Sequence, residues 1–307
     1  MTVISSSQPK TGLISRLVSV LLSIKPLANF AKAQARQMMI KRAEKIGVPW
    51  RANVEQLRQR QWDQELGTVQ DPEVDYPEYY LTSFHAYDEG NLSWTAAWEV
   101  ESAAQAVHAK IWTDDDPKGD TKLRRSYQQA LTKLMPIMPQ DILDLGCGVG
   151  MSTMSLQEVY PSAKVMGLDL SPYFLSVAQY RGQKQQPQIN WIHGAAEATG
   201  LPGGSLDLVA TSLMFHELPA SAAQAIILEA HRLLRPGGYL AIMDMNPISE
   251  AFKKMPPYVF TLLKSTEPYL DQYFALDLEK IMNQAGFTDF KMTINSPRHR
   301  TVVARRK

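Results

Sequence analysis

Asp141-Ile142-Leu143-Asp144-Leu145-Gly146-Cys147-Gly148-Val149-Gly150 is the stretch whose reading decides the fold. An apolar run ends in a glycine-rich turn, and a helix-compatible segment follows at 151–160. Glycine serves where backbone must approach a ligand closely or take positive φ. In an open parallel sheet, ligands bind at the carboxyl ends of the strands.

Two ligand classes compete for such a turn. A dinucleotide site needs a small residue at the sixth position of G-x-G-x-x-G/A, and counting from Gly146 that position is Met151. Asp144, just before the turn, would repel a pyrophosphate. A sulfonium- and ammonium-bearing ligand suits the place better. Downstream, Val165-Met166-Gly167-Leu168-Asp169-Leu170-Ser171-Pro172 ends a second strand in a carboxylate about 20 residues after the turn, the spacing that offers Asp169 to both ribose hydroxyls. Ser171 and Pro172 also read as the cap and first position of the next helix, which is compatible with that role.

Working outward, short apolar runs alternate with helical segments. Strands are expected at 142–146, 164–170, 190–193, 206–213 and 239–245, with helices at 121–135, 151–160, 172–183 and 219–234. The alternation implies α/β architecture with a parallel sheet. Segments 287–295 and 300–305 have no helix-length spacer between them, and Asn295-Ser296-Pro297 reads as a turn, so they are expected to be antiparallel. Leu234-Arg235-Pro236-Gly237-Gly238 reads as a helix end and a turn into the fifth strand.

The ordered set Asp144–Gly150, Gly167–Pro172, His193–Ala198 (H-G-A-A-E-A), Leu206–Val209 (L-D-L-V) and Leu233–Gly238 (L-L-R-P-G-G) resembles class I S-adenosylmethionine-dependent methyltransferases, in the branch with the ubiquinone and menaquinone C-methyltransferases. The resemblance spans about residues 121–307. It implies a Rossmann-like, seven-stranded, mostly parallel sheet with helices on both faces. It also implies S-adenosylmethionine across the ends of the first four strands. The implied cofactor contacts are Asp144, Gly146, Cys147, Gly148, Gly150, Asp169, Leu170, Ala195, Ala196, Glu197 and Ser212. One position departs from the family: Ala195 stands where an Asp often holds the adenine amino group, which leaves backbone near Ala195 and Ala196, or Glu197, for that task.

A methyl acceptor that loses a proton needs a base. Met214-Phe215-His216-Glu217 follows the fourth strand. His216 is the first candidate, because its ordinary pKa lies near operating pH. Asp244, ending the fifth strand, is the second. The N/D-P-P-Y/F motif of amino-methylating relatives is missing at this place, and Cys147 lies in the cofactor turn, away from any cytosine-C5 role. Nothing resembles a nucleic-acid module, so the expected partner is a small-molecule acceptor. Aromatic residues over 247–274 and 79–94 suggest a hydrophobic, lipid-like one. A stripe of Trp94, Trp98, Glu101, Gln105, His108 and Trp112 reads as core or as pocket wall.

Three regions are expected: a basic helical segment 1–66, with helix breaks at Pro26 and 47–49; an acidic, aromatic-rich loop and helix 67–120 capping the site; and the cofactor domain 121–307. Residues 1–65 hold roughly eleven Lys/Arg against four Asp/Glu, and residues 66–120 reverse that balance. The net charge is only +1, which gives no global sign of a polyanionic partner. Leu13–Ile24 is apolar but too short to span a bilayer. Residues 11–45 are candidates for peripheral membrane contact or for packing on the domain, and a cytoplasmic protein is expected. One cysteine rules out an internal disulfide and a multi-cysteine metal site. Two alternatives stay open: a non-catalytic cofactor-binding regulator and, less well supported because of Met151, a nicotinamide oxidoreductase.

Overall fold

The computed structural model describes residues 25–83, 85, 87–112, 115–183 and 188–307. Leu13–Ile24, the apolar part of the membrane-contact segment, lies outside them. Seven strands form one sheet: β1 (Asp141–Leu145), β2 (Lys164–Asp169), β3 (Asn190–His193), β4 (Leu206–Ser212), β5 (Leu234–Met245), β6 (Phe287–Ile294) and β7 (His299–Arg306). Their order is β3-β2-β1-β4-β5-β7-β6. The first five run parallel, and β7 pairs antiparallel with both β5 and β6. The order reverses direction beside β1, so the turns after β1 and β4 diverge and leave a crevice.

β1 is buried on both faces, as a central parallel strand must be. Leu143 and Leu145 pack towards α8 (Ala220–Leu233) and α12 (Leu278–Gln284). Ile142 packs towards α5 (Gly119–Leu134) and α6 (Met151–Val159) on the other side. All three are fully buried, each worth about 1.5–3 kcal/mol over exposure. α7 (Pro172–Gly182) starts as expected: Ser171 Oγ accepts from the Phe174 N–H and proline follows.

Arg235-Pro236-Gly237-Gly238 falls inside the bounds of β5 as a bulged turn: Leu234 pairs with Leu206, pairing with β4 resumes at Tyr239 opposite Leu208, and Gly237 takes φ +86°. The Arg235 side chain explains the arrangement. It bridges Asp207 (2.6 Å) and Asp141 (2.8 Å), tying β5 to β4 and β1 at the end away from the ligand crevice.

Ahead of the sheet come α1 (Lys25–Lys45), α2 (Trp50–Arg58), α3 (Asp63–Val69) and α4 (Trp94–His108). Ile40 and Ala43 of α1 are buried with Trp50 and Ala106, so this half of α1 packs on the body of the protein. Trp94 and Trp98 stack on each other and join Trp62 and Tyr173. Trp94 and Trp98 of the stripe therefore pack as core, whereas its His108 lines a cavity together with Ala96, Val100, Ala103 and Val107 of the same helix. Between β5 and α12 lie α9 (Glu250–Lys253), α10 (Pro257–Thr266) and α11 (Leu270–Phe274). Among the described residues, no helix is long and apolar enough to cross a membrane.

Candidate active site

A cavity of about 580 Å³ opens at the carboxyl ends of β1, β2 and β4, within the size range of small-molecule pockets. Gly146, Cys147, Gly148, Asp169, Leu170, Ala196 and Ser212 line it; Asp144, Gly150, Ala195, Glu197 and Asp244 stand behind the wall. The site residues expected from sequence thus fall into two layers.

Gly148 has φ +54°, and a Cβ placed there would meet only Phe174, at 3.9 Å, so its missing side chain leaves open space. Gly150 (φ +81°) serves packing instead. Its Cβ would come within 2.5 Å of the Trp191 ring, and the indole occupies the room this glycine leaves under the turn. Cys147 is buried and its thiol is pushed up in pKa by burial and by the Asp169 and Asp144 charges.

Asp169 is 7% exposed. Its Oδ2 accepts from the Gly148 N–H and its Oδ1 from the Ser171 N–H, both at 2.8 Å. Burial raises its pKa to about 6, against the opposing pull of those two N–H groups. The Tyr80 hydroxyl also bonds this carboxylate, and the lone pairs left over are open to a further donor. Asp144 is fully buried. Its Oδ2 accepts from the Ser152 and Thr153 hydroxyls at 2.6 and 2.7 Å, so it ties β1 to α6, while Oδ1 has no partner. Burial lifts its pKa to about 6 as well.

The described residues between 71 and 91 run across these strand ends. The Tyr79 hydroxyl donates to Glu197 Oε1 at 2.5 Å, leaving the buried Glu197 Oε2 unpartnered. Tyr76 meets His193 at 3.1 Å, and Ser171 Oγ donates to the Asn91 carbonyl at 2.7 Å. The residues present fit S-adenosylmethionine. They supply a glycine cradle with open space, a carboxylate with spare acceptor capacity for a diol, apolar Leu170 and Ala196, and the orphaned carboxylate oxygens of Asp144 and Glu197 nearby.

Beyond β4 the chain passes through Leu213, whose φ of +59° is unusual for a non-glycine residue, a strain of about 1–3 kcal/mol characteristic of functional turns. The 3₁₀ turn Phe215–Glu217 follows. His216 is buried and faces the cavity. Its Nδ1–H donates to Asp244 Oδ1 at 2.7 Å and its backbone N–H to Asp244 Oδ2 at 3.2 Å. The second nitrogen, Nε2, lies 4.0 Å from Glu267 Oε2, a buried atom without a hydrogen-bond partner. Burial alone would depress the His216 pKa, but the Asp244 carboxylate, with Glu267 and Glu217, holds it up at about 10. This removes the premise that His216 titrates near operating pH: at rest it is charged. Glu217 is pushed up to about 7, chiefly by burial. From the overlying segment, His85 Nε2 reaches Glu267 Oε1 (3.1 Å) and Glu217 Oε1 (3.4 Å).

Sequence reasoning missed His85, Glu267 and Leu213. Glu267 stands in no motif, and only the return of α10 towards His216 brings it in. Of the aromatic residues expected to cover the acceptor between β5 and α12, Phe252 lines the cavity, joined by Met255, Val259 and Leu263.

Comparison with known proteins defines the class. A family model described as a methyltransferase domain matches residues 142–238. A methyltransferase of Synechocystis sp., itself described as uncharacterized, is 37% identical over 164 residues, covering 53% of this chain and 74% of that protein. The demethylmenaquinone methyltransferase of Thermus thermophilus is 30% identical over 124 residues, covering 40% of this chain and 54% of that one. Human N-acetylserotonin methyltransferase, solved with S-adenosylmethionine, shares the fold with a TM-score of 0.53 at 17% identity, over 87% of this chain and 69% of its own. With the strand order and the glycine turn, these findings mean that the chain belongs to the class I S-adenosylmethionine-dependent methyltransferases.

Proposed function

We propose that this methyltransferase acts on a small apolar or aromatic acceptor, at carbon or oxygen. One observation carries the reading: a single cavity joins the Gly148–Asp169 cradle to a chamber walled by Val100, Val107, Met255, Val259 and Leu263, with His216 and Glu267 on its surface. In this reading Asp169 clasps the cofactor ribose, Gly146, Cys147, Gly148, Leu170, Ala196 and Ser212 form the walls of its pocket, and Asp144, Gly150, Ala195 and Glu197 support them from behind. The cofactor supplies an electrophilic methyl group. The protein's task is to align the acceptor with it, exclude water and handle a proton.

Asp244 is a positioning residue. It fixes the His216 tautomer so that Nε2 faces the cavity. Glu267 Oε2, buried without a hydrogen-bond partner and facing His216 Nε2, is the second group placed to exchange a proton with an acceptor. A hydroxyl in the gap between Nε2 and Oε2 would accept from the first and donate to the second.

We read residues 67–120 as a cap over the site, 121–307 as the catalytic domain and 25–66, the described part of the 1–66 segment, as helices closing one wall; the contacts of Tyr79, His85 and Asn91 support the cap. We read the enzyme as cytoplasmic. Burial of Ile40 and Ala43 favours packing over membrane contact for that half of residues 11–45. The test is incubation with methyl-labelled cofactor and organic extracts, with products identified by mass spectrometry. A labelled, organic-soluble product that is lost in Glu267→Gln and His216→Ala, with S-adenosylhomocysteine affinity kept within about twofold, is expected. Cofactor binding without label transfer to any extract would favour a regulator and refute the proposal.

A further inference from the structure

The chamber carries a cationic feature that the chemistry above does not use. Arg298, in the turn between β6 and β7, lines the cavity. Its guanidinium donates to the Lys110 carbonyl at 3.3 Å, and among the described residues it pairs with no carboxylate. Arg42 approaches from α1. Its Nη2 donates to Asp115 at 3.1 Å, while its Nε is buried without a partner. Of the neighbours of Asp115, Asp114 lies outside the described residues and Asp116 is engaged by Lys122. Burial, and then the charge of Arg42, lower the pKa of Arg298, which places two guanidinium charges close enough to repel. Next to Arg298, His299 is buried and its pKa falls to about 3, through burial and then the His108 charge, so it brings no charge of its own. Arginine is weakly hydrated and presents parallel N–H groups that match planar or tetrahedral oxyanions. Arg298, held among the described residues only by a backbone carbonyl, has N–H groups to spare, and so does Arg42, whose Nε is unpartnered. The cavity wall nearby is apolar: Ala104 and Val107 of α4, and Ile111.

We propose that Arg298, supported by Arg42, binds a carboxylate or phosphate on the acceptor, so that the substrate is an anionic amphiphile with its apolar body in the chamber. The inference rests on the reading of this cavity as the acceptor chamber. It accounts for an arginine at an apolar pocket where a neutral lipid-like acceptor would leave the charge without a use.

The test is calorimetry on the full chain saturated with S-adenosylhomocysteine, titrated with decanoate, decyl phosphate and decanol. At least one anion is expected to bind about tenfold or more tightly than decanol. Arg298→Gln should abolish that preference and leave decanol affinity unchanged, and Arg42→Gln should reduce it in the same direction. Decanoate ahead of decyl phosphate assigns a carboxylate, and the reverse a phosphate. Equal binding of all three by the unaltered protein overturns the anion subsite alone, and needs no variant to fold. Binding of none overturns the chamber reading and the subsite with it. An unchanged preference in a folded Arg298→Gln protein also refutes the proposal.

Discussion

Asp169 offers the sharpest quantitative test. Burial holds its carboxylate pKa up at about 6. Both its oxygens already accept backbone N–H groups, and the ribose diol would use the lone pairs left over. Protonation converts one acceptor into a donor and sets it against a diol that must donate. If only the carboxylate form binds, the apparent Kd should rise about tenfold for each pH unit below about 6 and level off above it. Asp169→Asn goes further. Its single oxygen can face only one of Gly148 N–H and Ser171 N–H, and its NH₂ is forced against the other. Losing a charge-assisted hydrogen bond costs about 1.5–3 kcal/mol, so the variant should bind S-adenosylhomocysteine about 10- to 150-fold more weakly, with no pH dependence between 5 and 8. Titration calorimetry across that range measures both effects. A flat profile for the unaltered protein, or an Asn variant within threefold of it, would refute the ribose role.

Three further outcomes follow from the same geometry. Gly150→Ala drives a methyl group to within 2.5 Å of Trp191 at a positive φ, and should cost about 2 kcal/mol or more, read as a lower urea midpoint; an unshifted midpoint would mean that the indole can move aside. In Asp244→Asn the His216 titration, followed by NMR, should fall by two units or more from about 10. The stabilisation from that pair is complete below about pH 6.5, the ordinary histidine value, and is lost as pH rises through about 10. The unaltered protein and the variant should therefore differ most in Tm at low pH and converge towards pH 10. Tyr79→Phe releases Glu197 from the covering segment and should speed proteolytic nicking in residues 71–91; an unchanged nicking rate would argue against the Tyr79–Glu197 contact as an anchor.

The order of strands and helices from residue 141 onward was legible in the sequence, because parallel βαβ units write their own periodicity: short apolar runs, a glycine turn, a carboxylate at the next strand end. Pro236-Gly237-Gly238 has turn chemistry, and the structure keeps it as an unpaired bulge within β5, between the Leu234–Leu206 and Tyr239–Leu208 pairs. Gly150 belongs to the same motif as Gly148, but only packing shows that one faces the cavity and the other seats Trp191.

Local sequence thus determined the sheet, the glycine cradle and the Asp169 carboxylate, since each depends on neighbours within one βαβ unit. Tertiary structure alone decided the protonation of His216, which depends on carboxylates at 217, 244 and 267. It also decided the covering contacts of Tyr79 and His85, and the meeting of Arg42 with Arg298. These depend on groups far apart in the chain, whose electrostatic interaction is set by distance and burial, and neither quantity is written in residue spacing.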